Sequence, residues 1–170
     1  MKLIEGMKLA KSLLVKADDL RKKIGDASAH LSIETPVYAD QKGQVCQWLQ
    51  AHEDIVREIA RLRVRIAKTN LATSVTINVG GNNLTKCITE WIVRRKELAP
   101  LDAAAWSQLG DRGLREQQIQ TTPQSPVTEI RIVRCFDPKE RDERVSVYKD
   151  EPGLIDRTLE VVNATTDLLE

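Results

Sequence analysis

Trp48, His52, Ile55, Ile59, Leu62, Ile66 and Thr69 recur at alternating steps of four and three residues. An α-helix turns once every 3.6 residues, so this spacing lays all seven on one stripe. Sustained over about three heptads, the stripe is a seam that has to be laid against another helix. It commits the chain to a fold organised by long packed helices. Asp40 or Gln44 can begin this helix, and Asn70 can end it, because Asn tolerates the left-handed conformation of a C-terminal cap. His52 sits in the seam and reads as a core or boundary histidine. A ligand role would need further His or Cys at matching spacing, which the sequence does not offer.

Two more segments carry helical periodicity. Leu3, Met7, Ala10, Leu14, Ala17, Leu20 and Ile24 form one stripe, with Lys8, Lys11, Lys16, Asp18, Asp19 and Lys22 on other faces. Ala27 and Leu31 continue it past Gly25, and the predicted helix stops by about residue 32. Thr35, pushed out of the helical region by Pro36, then begins a connection. Near the other end, Asp137-Pro138 offers an N-cap followed by proline at the first helical position. The stripe Val145, Tyr148, Pro152, Ile155, Leu159, Val162 follows. Its phase survives Pro152, which favours two coaxial segments kinked at Pro152-Gly153 and ending at residues 160–163. The alternative is a strand at 145–148 and a separate helix from Pro152.

Between these helices the pattern changes. Val75, Ile77 and Val79 alternate with polar residues, Gly80-Gly81 follows, and the chain returns through Asn82, Asn83 and Leu84. This predicts a β-hairpin over about 75–85. A two-stranded ribbon is marginal alone, so it has to pack on a helix or pair with another strand. Thr85 is the expected N-cap of a helix carrying Ile88, Trp91, Ile92, Arg95 and Leu98, with Pro100 in or just after it. A second helical piece contains Trp106 and Leu109. Trp91 and Trp106 read as core anchors. Residues 117–126, polar and with two prolines, are expected to form a flexible loop, most exposed at 121–126. Residues 127–135 are rich in β-branched types and predict a further strand, most economically paired with the hairpin. The expected architecture is a single mainly α domain over 1–170. It is an antiparallel long-helix bundle, coiled-coil-like, with a small β element.

Composition narrows the function. Twenty-six Lys and Arg face 25 Asp and Glu, a net charge of +1, which argues against a globally basic nucleic-acid binder. The balance is uneven along the chain: residues 1–39 carry +2, residues 40–100 carry +4 and residues 101–170 carry −5. A positive middle and a negative last third invite pairing, within one chain or between subunits. No apolar run approaches the length of a membrane span, and charges interrupt any signal-like start. Three scattered cysteines, Cys46, Cys87 and Cys135, read as reduced thiols. The cytoplasm is the expected location. The two histidines, His30 and His52, lie in separate regions, and no Ser-His-Asp set, Cys-His pair, metal-ligand spacing or phosphate loop is present. The expected protein is not an enzyme and uses no cofactor and no metal.

The candidate binding or assembly residues fall into two groups. The first is basic: Arg57, Arg61, Arg63, Arg65 and Lys68 on one helix, and Arg94, Arg95 and Lys96 on another, beside Trp91. The second is a polar echo at two helix exits, Asn70 with Thr73, and Asn163 with Thr165 and Thr166, the latter followed by Asp167. Its plainer reading is C-capping followed by side-chain-to-backbone turns. The functional alternative is two polar clusters meeting at one end of the bundle.

The combination of Thr-Asn-Leu-Ala-Thr at 69–73, a hairpin leading to Glu-Trp-Ile at 90–92, and a terminal Asn-Ala-Thr-Thr-Asp-Leu-Leu resembles a family of short bacterial helical proteins, some named septicolysin. The likeness spans nearly the whole chain, and the terminal motif is its most specific part. It implies a mainly helical fold with long antiparallel helices and no cofactor, and it supplies no catalytic residues. It carries over onto Asn163, Thr165, Thr166 and Asp167. The family name implies a cytolysin.

The leading expectation is a self-associating helical protein with a structural, scaffolding or assembly role, a homodimer or higher homo-oligomer. Arg61, Arg65, Arg94 and Arg95 would then bridge to the acidic last third of a neighbour. The runner-up is a module binding nucleic acid or another anionic partner through the basic residues, with strongly salt-dependent affinity.

Overall fold

The computed structural model describes residues 1–119 and 126–170. In chain order the elements are α1 (Leu3–Ala27), α2 (Gln41–Ala72), β1 (Ser74–Val79), β2 (Asn82–Cys87), α3 (Ile88–Val93), a π-helical turn (Arg94–Leu98), α4 (Ala99–Ser107), β3 (Gln117–Ile119), β4 (Thr128–Ile130) and α5 (Pro138–Thr165). The fold is mainly α, with two small antiparallel two-stranded sheets, β1-β2 and β3-β4.

The chain forms two compact units. The first comprises Met1–Val75, Cys87–Thr89 and Leu159–Glu170, and the second Thr76–Lys86 and Glu90–Thr158.

In the first unit α1 packs along α2. The two run antiparallel: the Gln41 amide at the start of α2 donates to the Ala27 carbonyl at the end of α1. At the opposite end, the start of α1 and the end of α2 both meet the C-terminal residues. Asp40 begins α2 as expected, its carboxylate accepting the Gly43 N–H at 2.9 Å. The helix continues past Asn70 to Ala72 and is capped at Thr73. The seam from Trp48 to Thr69 faces inward throughout, with Ile59, Leu62 and Thr69 buried and the other four half-buried.

α1 differs from its expected stripe. The buried residues are Leu3, Gly6, Ala10, Leu13 and Ala17, whereas Met7 and Leu14 are exposed. Both sets have helical spacing, and the adjacent pair Leu13-Leu14 leaves periodicity unable to choose. Gly6 decides it. A Cβ there would sit 3.0 Å from Leu168 Cδ2, so the C-terminal leucine occupies the space that Gly6 leaves open. The helix also ends sooner than about residue 32. Ser28 closes it, its hydroxyl donating to the Gly25 carbonyl at 2.8 Å.

In the hairpin, Val75, Ile77 and Val79 alternate as buried residues. Gly80 and Gly81 have φ of +56° and +85°, the mirror-image turn that matches strand twist and that only glycine adopts freely. Within the second unit the hairpin tip rests on α5, where a Gly80 Cβ would lie 3.2 Å from Val147 Cγ1. Thr85 is not an N-cap. It belongs to β2, its hydroxyl 2.7 Å from that of Thr76 across the ribbon. The helix starts instead at Ile88.

Pro100 is the second residue of α4 and directly follows the π-helical turn, in a run that is helical from Ile88 to Ser107. The turn before it widens: the Ala99 N–H donates to the Arg94 carbonyl, five residues back. Proline removes a donor and crowds the carbonyl four residues earlier, so the π-helical turn is the physical accommodation.

The further strand is shorter than 127–135 and does not join the hairpin. β4 covers Thr128–Ile130 and pairs with β3, Gln117–Ile119, a stretch expected to be loop. The nearer partner requires the shorter loop to close. Every residue of both strands is exposed, so burial does not reward a longer ladder. The loop expected at 121–126 falls, but for Pro126, outside the described residues.

α5 begins as expected, with Asp137 accepting the Lys139 N–H at 2.8 Å and Pro138 in the first helical position. Residues 145–148 are helical, and the helix runs on through Pro152 to Thr165, beyond the expected stop at 160–163.

Candidate functional site

The second unit holds an ion cluster built by the π-helical turn and α5. Arg94 opens that turn. Its Nε and Nη2 donate to Glu151 Oε1 and Oε2 at 2.7 and 2.8 Å, and its Nη1 donates to Asp102 Oδ2 at 2.5 Å. Its guanidinium carbon lies 5.4 Å from the Tyr148 ring centre. The Glu151 side chain is 1% exposed, so the pairing is a buried, two-pronged one. The Glu151 hydrogen bond, then that of Asp102, lifts the Arg94 pKa above its already high ordinary value. The guanidinium is therefore a fixed charge with its forks occupied, suited to holding α5 in place. Arg95 pairs with Asp156 one turn further along α5.

Arg94, Tyr148 and Glu151 line an open cavity of about 740 Å³ whose walls also include Lys86, Glu140, Glu143 and Arg144. Its charges are mixed in sign. Trp91 is fully buried. Sequence reasoning found Arg94, Arg95 and Trp91 but missed Glu151, Asp102 and Asp156. Glu151 left a signal: an acid three residues after Tyr148 and four before Ile155, in phase with the apolar stripe.

In the first unit the polar C-terminal residues clasp the start of the chain. The Leu3 N–H donates to the Thr166 carbonyl and the Leu168 N–H to the Met1 carbonyl, both at 2.9 Å. Lys2 Nζ reaches the Thr165 carbonyl and Asp167 Oδ1, each at 2.9 Å. The Lys2 ammonium holds the Asp167 carboxyl below its ordinary pKa. The Thr165 hydroxyl bonds back to the Val161 carbonyl, and Asn163 is half-buried.

The end of α2 joins the same clasp. Arg65 Nε donates to the Leu169 carbonyl at 2.8 Å, and Lys68 Nζ lies 3.4 Å from the Glu170 carbonyl. The Thr69 hydroxyl accepts the Leu169 N–H at 3.0 Å while donating to the Arg65 carbonyl. Asn70 is half-buried; Thr73 is capped onto Thr69, and its carbonyl accepts the Ile88 N–H at 3.1 Å. The two helix exits therefore do meet through the tail, by way of Arg65 and Thr69 rather than Asn70 and Asn163. Arg57 pairs with Glu53 and Asp54, whereas Arg61 and Arg63 are exposed with no ion pair among the described residues.

α2 also carries a second apolar stripe, on the side away from its seam. Leu49, Val56, Val64 and Leu71 follow at steps of seven, eight and seven, and are 47, 46, 56 and 63% exposed. The exposed Ala60 and Ala67 and the half-buried Val45 fall on the same face. Periodicity in the sequence pointed to the stronger seam and hid this weaker one.

Among the described residues, no group of three or more His, Cys, Asp or Glu is placed to hold a metal. No helix among them is long and apolar enough to cross a membrane. No protein-family model matches the chain, and no curated protein does. Among solved structures it is similar to a functionally unknown conserved protein from Corynebacterium diphtheriae. The identity is 18%, each chain is covered over 99% of its length, and the TM-score is 0.61. The two share a fold end to end.

Proposed function

We propose that this is a non-enzymatic, self-associating helical protein with a structural or scaffolding role, and that α2 supplies the assembly surface. The observation that carries this reading is the second stripe of α2, four large apolar side chains in helical register, each about half exposed. Apolar surface in water costs roughly 25 cal/mol per Å², and an apolar stripe along a long helix is relieved by another helix. The basic residues support assembly over nucleic-acid binding. Arg57, Arg65, Lys68, Arg94 and Arg95 already have carboxylate or carbonyl partners within the chain, and phosphates would have to displace these.

Light scattering on a sizing column, at low and high salt, tests the reading. A discrete multiple of the monomer mass is expected at both, since an apolar interface survives screening. A monomer at both would overturn it.

A further inference from the structure

With Val45, Ala60 and Ala67 on the same face, the second stripe of α2 sets large side chains against small ones when one helix is turned end for end against another about Glu58. We infer that two copies of this chain pair antiparallel along α2, about a two-fold axis level with Glu58; the inference rests on the self-association proposed above. Turning the helix end for end about Glu58 places Val45 opposite Leu71, Leu49 opposite Ala67, and Val56 opposite Ala60 of the second copy. Glu53 is then level with Arg63. At Leu49–Ala67 and Val56–Ala60 a large side chain meets a small one, so the helices can approach toward the near end of the usual 8–10 Å separation.

Charge selects this orientation. Arg63 has no ion pair among the described residues, and Glu53 is engaged only by an exposed contact to Arg57, of the kind that contributes a few tenths of a kcal/mol. The antiparallel pair brings Glu53 of each copy beside Arg63 of the other. A parallel pair would set Glu53 against Glu53 and Arg63 against Arg63. Sliding the antiparallel pair by one heptad puts Glu53 opposite Val56 in one direction, or Arg63 opposite Ala60 in the other. The pairing of a patch with its own copy closes at two subunits.

Two measurements on the full chain test it. Leu49→Cys with Ala67→Cys, oxidised and mapped by peptide mass, is expected to give a covalent dimer linked between positions 49 and 67. Within one helix these positions are about 27 Å apart, far beyond disulfide reach, so that linkage reports only on pairing between copies. Glu53→Arg and Arg63→Glu are each expected to weaken dimerisation about tenfold, and the double swap to restore it. Circular dichroism confirms that each variant keeps its helices. A wild-type dimer whose Leu49→Cys with Ala67→Cys variant lacks the 49–67 linkage, or whose double swap stays as weak as the singles, would overturn the antiparallel pairing and leave self-association standing. A wild-type monomer would overturn both.

Discussion

Arg94 and Glu151 form a pair whose energetic meaning depends on burial. Two exposed charges at this distance would contribute little, as Arg57 and Glu53 do. Here Glu151 is out of water, and removing its partner leaves an uncompensated buried carboxylate. Arg94→Ala is therefore expected to destabilise the protein by about 3–5 kcal/mol in urea denaturation. Combining it with Glu151→Leu should recover much of that loss, because no charge is then stranded. Arg94→Lys should not be neutral, since an ammonium cannot make the two-pronged contact. The arginine was legible from the density of positive charge. Its partner was not, because 57 residues separate the two and the sequence contains many other carboxylates.

The two helix-interrupting prolines act differently because they stand at different depths in their elements. Pro100 is the second residue of α4, and the π-helical turn absorbs its effect just upstream. Pro152 lies inside α5, where it removes the donor that would satisfy the Tyr148 carbonyl. Pro152→Ala is expected to raise stability, by up to about 3 kcal/mol, seen as a higher urea midpoint. Pro100→Ala should change the midpoint less, because the π-helical turn just upstream already relieves the proline's clash with the preceding carbonyl. Tolerance of Pro152 fits its surroundings. Glu151, the residue a following proline disfavours in a helix, is held there by Arg94, and Ile155 next along the stripe is fully buried.

Closure of the chain ends is a property of the molecule rather than of any element. Residues 166–168 cross residues 1–3 through backbone hydrogen bonds, and Leu168 fills the space over Gly6. Leu168→Ala is expected to cost about 2–5 kcal/mol and to release the Leu3 amide to faster hydrogen exchange. The clasp also depends on pH. Lys2 lowers the Asp167 pKa in the folded protein, so the unfolded chain binds that proton more readily. The contribution is present above the unfolded value near 3.8 and is lost as pH falls through the lower folded value. Asp18 beside Lys22 and Arg21, and Asp111 beside Arg134, shift the same way. All three lie at the surface, Asp18 and Asp111 half-buried and Asp167 exposed, so added salt should shrink the effect. Exchange at Leu3 and Leu168 followed to acid pH checks this, with Asp167→Asn flattening the dependence.

Much of the fold follows from local rules that a sequence displays directly. The α2 seam, its Asp40 cap, the Gly80-Gly81 turn and the Asp137-Pro138 start each need only neighbours within a few residues, and each stands where the pattern put it. The charge imbalance between the middle and the last third likewise invited pairing, and Arg94 and Arg95 meet Glu151 and Asp156 of the same chain, whereas Arg65 and Lys68 meet backbone carbonyls there. What required the tertiary structure is every choice between locally equal options. Leu13 or Leu14 was decided by Leu168, which lies over Gly6. β4 was decided by β3, the nearer partner for a strand with no buried face. The second stripe of α2 became visible only when α1 covered the first. Periodicity states which residues share a face, whereas burial depends on which face a distant part of the chain reaches.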